Sequence, residues 1–126
     1  MTHDQLQFKC FQWFWNSYPG LRMTFWGIFN DIKQVEKITG PISAKKRIII
    51  LSKMKSLGMV KGVLDLMFYH RNTLYVMDCK VGKDKLSKEQ KEFIKAIEAQ
   101  GGKGFKFSTL EEFQGIILNI LQNDVV

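Results

Sequence analysis

The sequence predicts a single α/β domain that spans residues 1–126. Two observations lead to this prediction. Segments whose apolar residues recur at three- and four-residue steps, as in helices, alternate with shorter segments rich in β-branched and aromatic residues, as in strands. A chain of 126 residues is also long enough to bury a sizeable core. The predicted order is helix, strand, helix, hairpin, helix, strand, helix.

The first helix is predicted to run from Asp4 to Tyr18 and to end at Pro19-Gly20, with its apolar stripe facing the core. Trp13 lies off that stripe, so we expect it to be exposed or at an interface. The segment from Leu21 to Phe29 alternates in the manner of a strand, and Asn30-Asp31 mark its end.

Residues 30–46 lack a clear period and are predicted to form a mobile loop, with a short helix over Ile32–Ile38. The segment from Ser43 to Leu57 fits two states. Its run of isoleucines favours a strand, whereas apolar residues at helical steps, Ser43 as a cap and Gly58 as a stop favour a helix. We predict a helix.

The last third of the chain carries a clear start signal. Ser87-Lys88-Glu89-Gln90 matches a capping box, so a helix is predicted to begin there and to end at Gly101-Gly102. A short strand from Gly104 to Phe107 and a last helix that begins near Ser108 complete the predicted order.

Composition is typical of a soluble globular protein, with 45% hydrophobic and 25% charged residues. The two cysteines, Cys10 and Cys79, lack the spacing of a disulfide framework or a zinc site, which favours a reducing, cytoplasmic compartment. The polar N-terminus has no signal-peptide pattern, and no apolar stretch reaches the roughly 18 residues that a membrane span needs. We therefore expect no membrane association.

The chain is basic: 19 Lys and Arg residues against 12 Asp and Glu give a formal charge of +7. Such an excess favours a polyanionic partner, because each phosphate neutralised by a basic side chain releases a counterion. The competing explanation is solubility, since many small proteins are basic.

The stretch from Gly62 to Val81 is predicted to form two strands joined by a tight turn, with charged residues where apolar ones are expected. If Arg71-Asn72 are the central turn residues, antiparallel pairing places Asp65 directly opposite Asp78. Like charges in that position destabilise a hairpin. Lys80 follows Asp78 by two residues and therefore projects from the same face.

A divalent cation between the two carboxylates is the simplest explanation, because hard cations prefer carboxylate and carbonyl oxygens. The main-chain carbonyl of Cys79 is a candidate third ligand, and its thiol is expected to point into the core. Lys80 is placed to position a water or to stabilise charge on a phosphoryl group. The competing interpretation is a solvated strand face on which Lys80 offsets the repulsion between Asp65 and Asp78.

Three segments resemble the small VRR-NUC nucleases of the PD-(D/E)XK superfamily: Gly62-Val63-Leu64-Asp65, Asp78-Cys79-Lys80 and Leu86-Ser87-Lys88-Glu89-Gln90. In that family a Gly-x-x-Asp enters the first catalytic strand, an acid-x-Lys closes the second, and a glutamine opens the next helix. The resemblance implies a PD-(D/E)XK core, which is a mixed four-stranded sheet with flanking helices.

The resemblance also implies roles for individual residues. Asp65 and Asp78 correspond to ligands of Mg²⁺ or Mn²⁺, Lys80 to the catalytic lysine, and Gln90 to a glutamine that helps to place substrate or water. Gln90 also stands where a capping box needs it, which is a purely structural alternative.

Asp4 is the nearest match to the acidic residue that the family carries in its first helix, and it is a further candidate metal ligand. Asp31 and Glu36 are alternatives to it. Two positions depart from the family pattern: Leu64 replaces the usual proline, and Asp78 replaces the more usual glutamate.

Lysines surround the proposed site in sequence, and those predicted to contact DNA are Lys61, Lys83, Lys85 and Lys88. The alternative is that exposed loops are rich in lysine in any protein. Nothing in the sequence resembles a base-reading module, so recognition of DNA structure is favoured over recognition of a sequence.

The resemblance implies a metal-dependent, structure-selective DNA endonuclease that acts on branched DNA, for example as a Holliday-junction resolvase, and works as a homodimer. Trp13 and Trp26 are candidates for the dimer interface. So small a nuclease is compatible with a phage origin. The alternative is a non-catalytic basic module that binds DNA or a partner while it retains the nuclease fold. Such a module would be expected to have lost at least one residue of the set Asp65, Asp78 and Lys80.

Overall fold

The computed structural model describes residues 1–28 and 32–123, with the side chain of Gln34 left out. The described residues form these elements: α1 His3–Ser17, a 3₁₀ helix Pro19–Thr24, β1 Phe25–Gly27, α2 Ile32–Thr39, α3 Ala44–Ser56, β2 Leu66–His70, β3 Thr73–Cys79, α4 Lys88–Ala99, β4 Lys103–Phe107 and α5 Leu110–Gln122.

The strands form one sheet in the order β1-β2-β3-β4. β2 pairs antiparallel with both β1 and β3, whereas β3 and β4 are parallel and are joined by a crossover through α4. The predicted fold class is confirmed: this is an α/β protein with a mixed four-stranded sheet and flanking helices.

Most of the predicted helices begin where local signals place them. The hydroxyl of Ser43 accepts a hydrogen bond from the Lys46 amide at 3.2 Å, so the helical interpretation of residues 43–57 is confirmed. The short helix predicted over Ile32–Ile38 is also present, and the described residues 32–46 are therefore more helical than the loop that we predicted.

Two predictions for the N-terminal part are wrong. Leu21 to Thr24 belong to the 3₁₀ helix rather than to a strand, because Pro19 opens this segment with a helical φ. β1 therefore has three residues, and the predicted end of the strand at Phe29 lies outside the described residues. Trp13 is half-buried, so its predicted exposure is wrong, whereas its predicted place at an interface stays a prediction. Its ring makes edge contacts to Tyr18 at 5.6 Å and Phe113 at 6.0 Å.

The two faces of the sheet are packed unequally. We call the face covered by α1 and α5 the aromatic face. Its buried rings form one cluster with aliphatic neighbours: Phe14, Phe25, Phe68, Phe107 and Phe113. The opposite face, which we call the α4 face, has a small buried cluster of Leu64, Met67 and Val76 against the apolar side of α4.

Both cysteines are buried in the aromatic face, as predicted for Cys79. Burial raises the pKa of the Cys10 and Cys79 thiols to about 12, so neither is a reactive thiolate near neutral pH. Within residues 1–28 and 32–123, none of the helices has the length and apolar character required to cross a bilayer.

Candidate active site

The β2–β3 hairpin has the predicted register, with Met67 opposite Val76 and Leu66 opposite Met77. The turn residues Arg71 and Asn72 have φ values of 46° and 66°. Positive φ at both central residues is what a two-residue type I′ hairpin turn requires. One step beyond the Leu66–Met77 pair, this register brings Asp65 opposite Asp78.

The two aspartates are buried and are held to each other's strand. Asp65 is 7% exposed and Asp78 only 1%. The Asp65 amide donates to Oδ1 of Asp78 at 3.2 Å, and the Cys79 amide donates to Oδ2 of Asp65 at 3.1 Å. The carboxylates therefore have fixed positions, although two like charges are brought together.

The two carboxyl groups differ in their electrostatics. Burial, reinforced by the nearby charge of Asp65, raises the pKa of Asp78 to about 6. Burial also opposes ionisation of Asp65, but hydrogen bonds from His3 and Asp78 outweigh it and hold the pKa of Asp65 below its usual value. Asp65 is thus the ionised member of the pair, and Asp78 is the member that retains a proton more readily.

Lys80 and Gln90 both contact the same oxygen of Asp78. Lys80 Nζ lies 2.9 Å from Asp78 Oδ2, and its side chain is 16% exposed. Gln90 Nε2 donates to the same oxygen at 3.3 Å, while Gln90 Oε1 accepts from the Ser87 amide at 2.9 Å. Capping and site contact are therefore compatible, because each uses a different end of the Gln90 amide.

His3 is the site residue that sequence reasoning missed. Its Nε2 lies 2.9 Å from Asp65 Oδ2, and its Nδ1 lies 3.5 Å from Asp4 Oδ1. The hydrogen bond to Asp65 is the main cause of the raised pKa of His3. The sequence signal that could have drawn attention to His3 is the capping box of Thr2 with Gln5, which places the start of α1 at His3.

The other acidic candidates lie further out. Asp4 forms an ion pair with Lys37 at 2.9 Å, and its side chain is 64% exposed. It therefore reaches Asp65 only through His3. Glu36 pairs with Arg47 of α3, which ties it to a structural contact. Asp31 lies outside the described residues.

The predicted DNA-contacting lysines are all exposed. Lys61 lies 3.5 Å from Glu89 across the start of α4. Lys83 and Lys85 lie in the segment between β3 and α4, and Lys88 is the first residue of α4. In the chain they lie on either side of β2 and β3, close to the start of α4.

The donor set fits a hard divalent cation. Among the described residues, no group of three or more His, Cys, Asp or Glu side chains is arranged to hold a metal ion. The site instead offers two carboxylates, and the main-chain carbonyl of Cys79 stays a predicted third ligand. These are the oxygen donors that Mg²⁺ accepts, since it usually keeps several waters and takes only one or two carboxylates. Burial and the charge of Asp65 raise the pKa of Asp78, and a cation bound between the carboxylates would favour the ionised form of both.

Comparison with known proteins supports this fold. No protein-family model matches the chain, and no curated protein matches it either. A solved structure described as a VRR_NUC domain protein matches with a TM-score of 0.71, covering 94% of this chain and 87% of its own, at 15% sequence identity. At that identity the likeness establishes a shared fold, and it agrees with the resemblance drawn from the sequence motifs.

Proposed function

We propose that this protein is a Mg²⁺- or Mn²⁺-dependent endonuclease that hydrolyses phosphodiester bonds in branched DNA. The observation that carries the proposal is the buried Asp65–Asp78 pair with Lys80 on Asp78 Oδ2, at the end of a hairpin. A mere solvated strand face would not bury both carboxylates. Likeness to a VRR_NUC domain protein supports the same activity.

Asp65 and Asp78, with the main-chain carbonyl of Cys79, are the residues that would hold the metal. When bound, such a cation lowers the pKa of a coordinated water and neutralises charge on the phosphoryl group. The hydrogen bonds from the backbone to both carboxylates keep these ligands in place before substrate arrives.

Lys80 and Gln90 supply the groups around these ligands. The Lys80 ammonium is mostly buried, so its attraction for a phosphoryl oxygen is less screened than that of a surface lysine. Gln90 orients the Asp78 carboxylate and is itself fixed by the helix cap. His3 orients Asp65 in the same way from α1.

The proposed substrate is DNA recognised by its structure, with phosphate contacts from Lys61, Lys83, Lys85 and Lys88. Resolution of a four-way junction takes two symmetric cuts, so a homodimer that presents two sites is part of the proposal. The net charge of +7 suits such a polyanionic substrate.

Cleavage of labelled four-way junction, flap, single-stranded and linear duplex DNA, with and without Mn²⁺, tests the proposal. The expected result is metal-dependent cleavage of the branched substrates. Lys80→Met should lose activity by at least about 10²–10³-fold, whereas Lys103→Met, on an exposed position of β4, should retain it.

Three results would count against the proposal. No metal-dependent product from any substrate would overturn the nuclease activity, and tight DNA binding in that case would favour the non-catalytic module. Undiminished cleavage by Lys80→Met would remove Lys80 from the mechanism. Preference for linear duplex ends would contradict selectivity for branched DNA.

A further inference from the structure

α3 contributes little to the core and carries charge of one sign. Its ionisable residues are all basic: Lys45, Lys46, Arg47, Lys53 and Lys55. No residue of α3 is fully buried. A helix of this length extends about 20 Å, which matches the spacing of about six phosphates along one strand of a duplex. Its charge and exposure are therefore suited to contact with a polyanion.

α3 is held to α2, and its lysines are exposed. Arg47 pairs with Glu36 of α2, and Ser43 caps the first turn. None of the four α3 lysines forms an ion pair with another residue in the part of the chain that the structure describes. Their charge is thus available to a partner, while Arg47 ties the helix that carries them to α2.

A groove with a volume of about 390 Å³ separates α3 from the start of α4. Lys55 lies on the α3 side of this groove, and Lys61 lies on the chain that leads into β2. At the α4 side the groove is lined by Gln90, whose amide nitrogen is 3.3 Å from Asp78 Oδ2. The groove therefore runs from the basic helix to Gln90, which contacts Asp78 of the carboxylate pair.

Gly62 fixes the floor of this groove. Its φ is +93°, and a Cβ at this position would lie 2.4 Å from the carbonyl oxygen of Glu89. Contact that close is open only to glycine. The chain before β2 is therefore pressed against the first turn of α4, which sets the distance between Lys61 and Gln90.

We propose that this groove binds the sugar–phosphate backbone of the nucleic-acid strand that enters the active site, with Lys55 of α3 as a phosphate contact. Leu51 and Met59 line the same groove and would pack against the sugars. The inference rests on the proposed nuclease function and adds to it a second set of contacts, on α3, which positions the strand.

The test compares two variants that remove equal charge. Lys55→Gln changes the groove side of α3, and Lys95→Gln changes an exposed position on α4. Binding of a labelled four-way junction is measured by fluorescence anisotropy in EDTA over a range of salt concentrations, and thermal unfolding confirms that both variants are folded.

We expect Lys55→Gln to weaken binding about 3–5-fold at 0.1 M salt, and to reduce the slope of log K against log salt by about 0.7–0.9, the value for one lost phosphate contact. The Lys95→Gln variant should keep the wild-type slope. An unchanged slope in the α3 variant, or an equal loss in both variants, would overturn the proposal.

Two further readouts separate the possible failures. If wild-type protein cleaves the junction with Mn²⁺ while the α3 variant binds normally, the groove assignment is wrong and the nuclease proposal stands. If the α3 variant loses binding but no metal supports cleavage by the wild type, the groove is supported and the nuclease proposal fails. If Ile48→Asp dissociates a dimer and Lys55→Gln has no effect on binding, α3 faces a second copy of the chain, which overturns the groove.

Discussion

The aromatic face and the α4 face of the sheet bury different kinds of residues. The aromatic face buries a continuous cluster of rings under α1 and α5, whereas the α4 face buries only Leu64, Met67 and Val76. Asp78 projects toward the α4 face, because its neighbours Met77 and Cys79 both belong to the aromatic cluster. Hydrophobic stabilisation is concentrated on one side of the sheet, and the candidate chemistry is on the other.

This division has a physical reason. A buried carboxylate destabilises a fold unless it is paired and hydrogen-bonded, and two adjacent carboxylates do so more strongly. Lys80, Gln90 and the Asp65 amide offset part of that cost at Asp78. The hydrophobic stabilisation from the aromatic face offsets the remaining free-energy cost of burying the two carboxylates.

The largest expected effect on stability comes from the aromatic face. Phe14 is fully buried, so Phe14→Ala should lower the free energy of unfolding by about 3–5 kcal/mol. The same change at the half-buried Phe93 of α4 should cost less, about 1–3 kcal/mol. Urea unfolding monitored by circular dichroism measures both. Equal losses would show that the two faces contribute alike.

Gly62→Ala should have the next largest effect, a loss of about 2–4 kcal/mol. The new Cβ would meet the Glu89 carbonyl, and alanine is strained at positive φ. Gly101→Ala is a matched control with a similar φ of +91° and no atom within 4 Å of the added Cβ. Thermal unfolding of both variants separates the effect of the contact with the Glu89 carbonyl from the effect of positive φ. Equal destabilisation of the two variants would show that this contact does not contribute to the loss of stability.

Asp78→Asn should stabilise the protein in EDTA at pH 7 by about 1–2 kcal/mol. Burial and the charge of Asp65 disfavour the ionised carboxylate by more than Lys80 favours it, and the new Oδ1 still accepts from the Asp65 amide. The gain is limited because the new amide nitrogen no longer accepts from Lys80 and Gln90. The variant should also lose metal-dependent cleavage. A lower melting temperature in EDTA would contradict the unequal electrostatics assigned to the carboxylate pair.

The same pair predicts a pH dependence in EDTA. The folded-state pKa of Asp78 is raised to about 6, so its contribution to stability is complete below the unfolded pKa near 3.8 and is lost as pH rises through about 6. His3, whose pKa is also raised, adds stability that is lost as pH rises above its usual value of 6.5. The wild-type melting temperature should therefore fall between pH 5 and 8, and that of Asp78→Asn should fall less. Parallel profiles would contradict this prediction.

Local signals explain what the sequence predicted well. The turn at Arg71-Asn72 and the alternation on either side fix the hairpin register, and hence the opposition of Asp65 and Asp78. Capping by Ser87 and Gln90 is equally local, so the start of α4 was predictable.

Long-range contacts explain what was missed. Trp13 is covered because α5 packs beside α1 and widens the buried side of the helix, which no periodicity within α1 can indicate. His3 meets Asp65 across most of the chain, so its place in the site follows from the tertiary fold. The approach of α3 to the start of α4 is of the same kind.

Mn²⁺ binding to the metal-free protein, measured by electron paramagnetic resonance titration at pH 7, tests the central claim most directly. The claim is that the buried Asp65–Asp78 pair holds a divalent cation. Wild-type protein and the control Asp84→Asn, changed at an exposed loop aspartate, should bind Mn²⁺ alike. Asp78→Asn should bind at least about 10–100-fold more weakly. Wild-type affinity in Asp78→Asn, or an equal loss in Asp84→Asn, would contradict the assignment of the site.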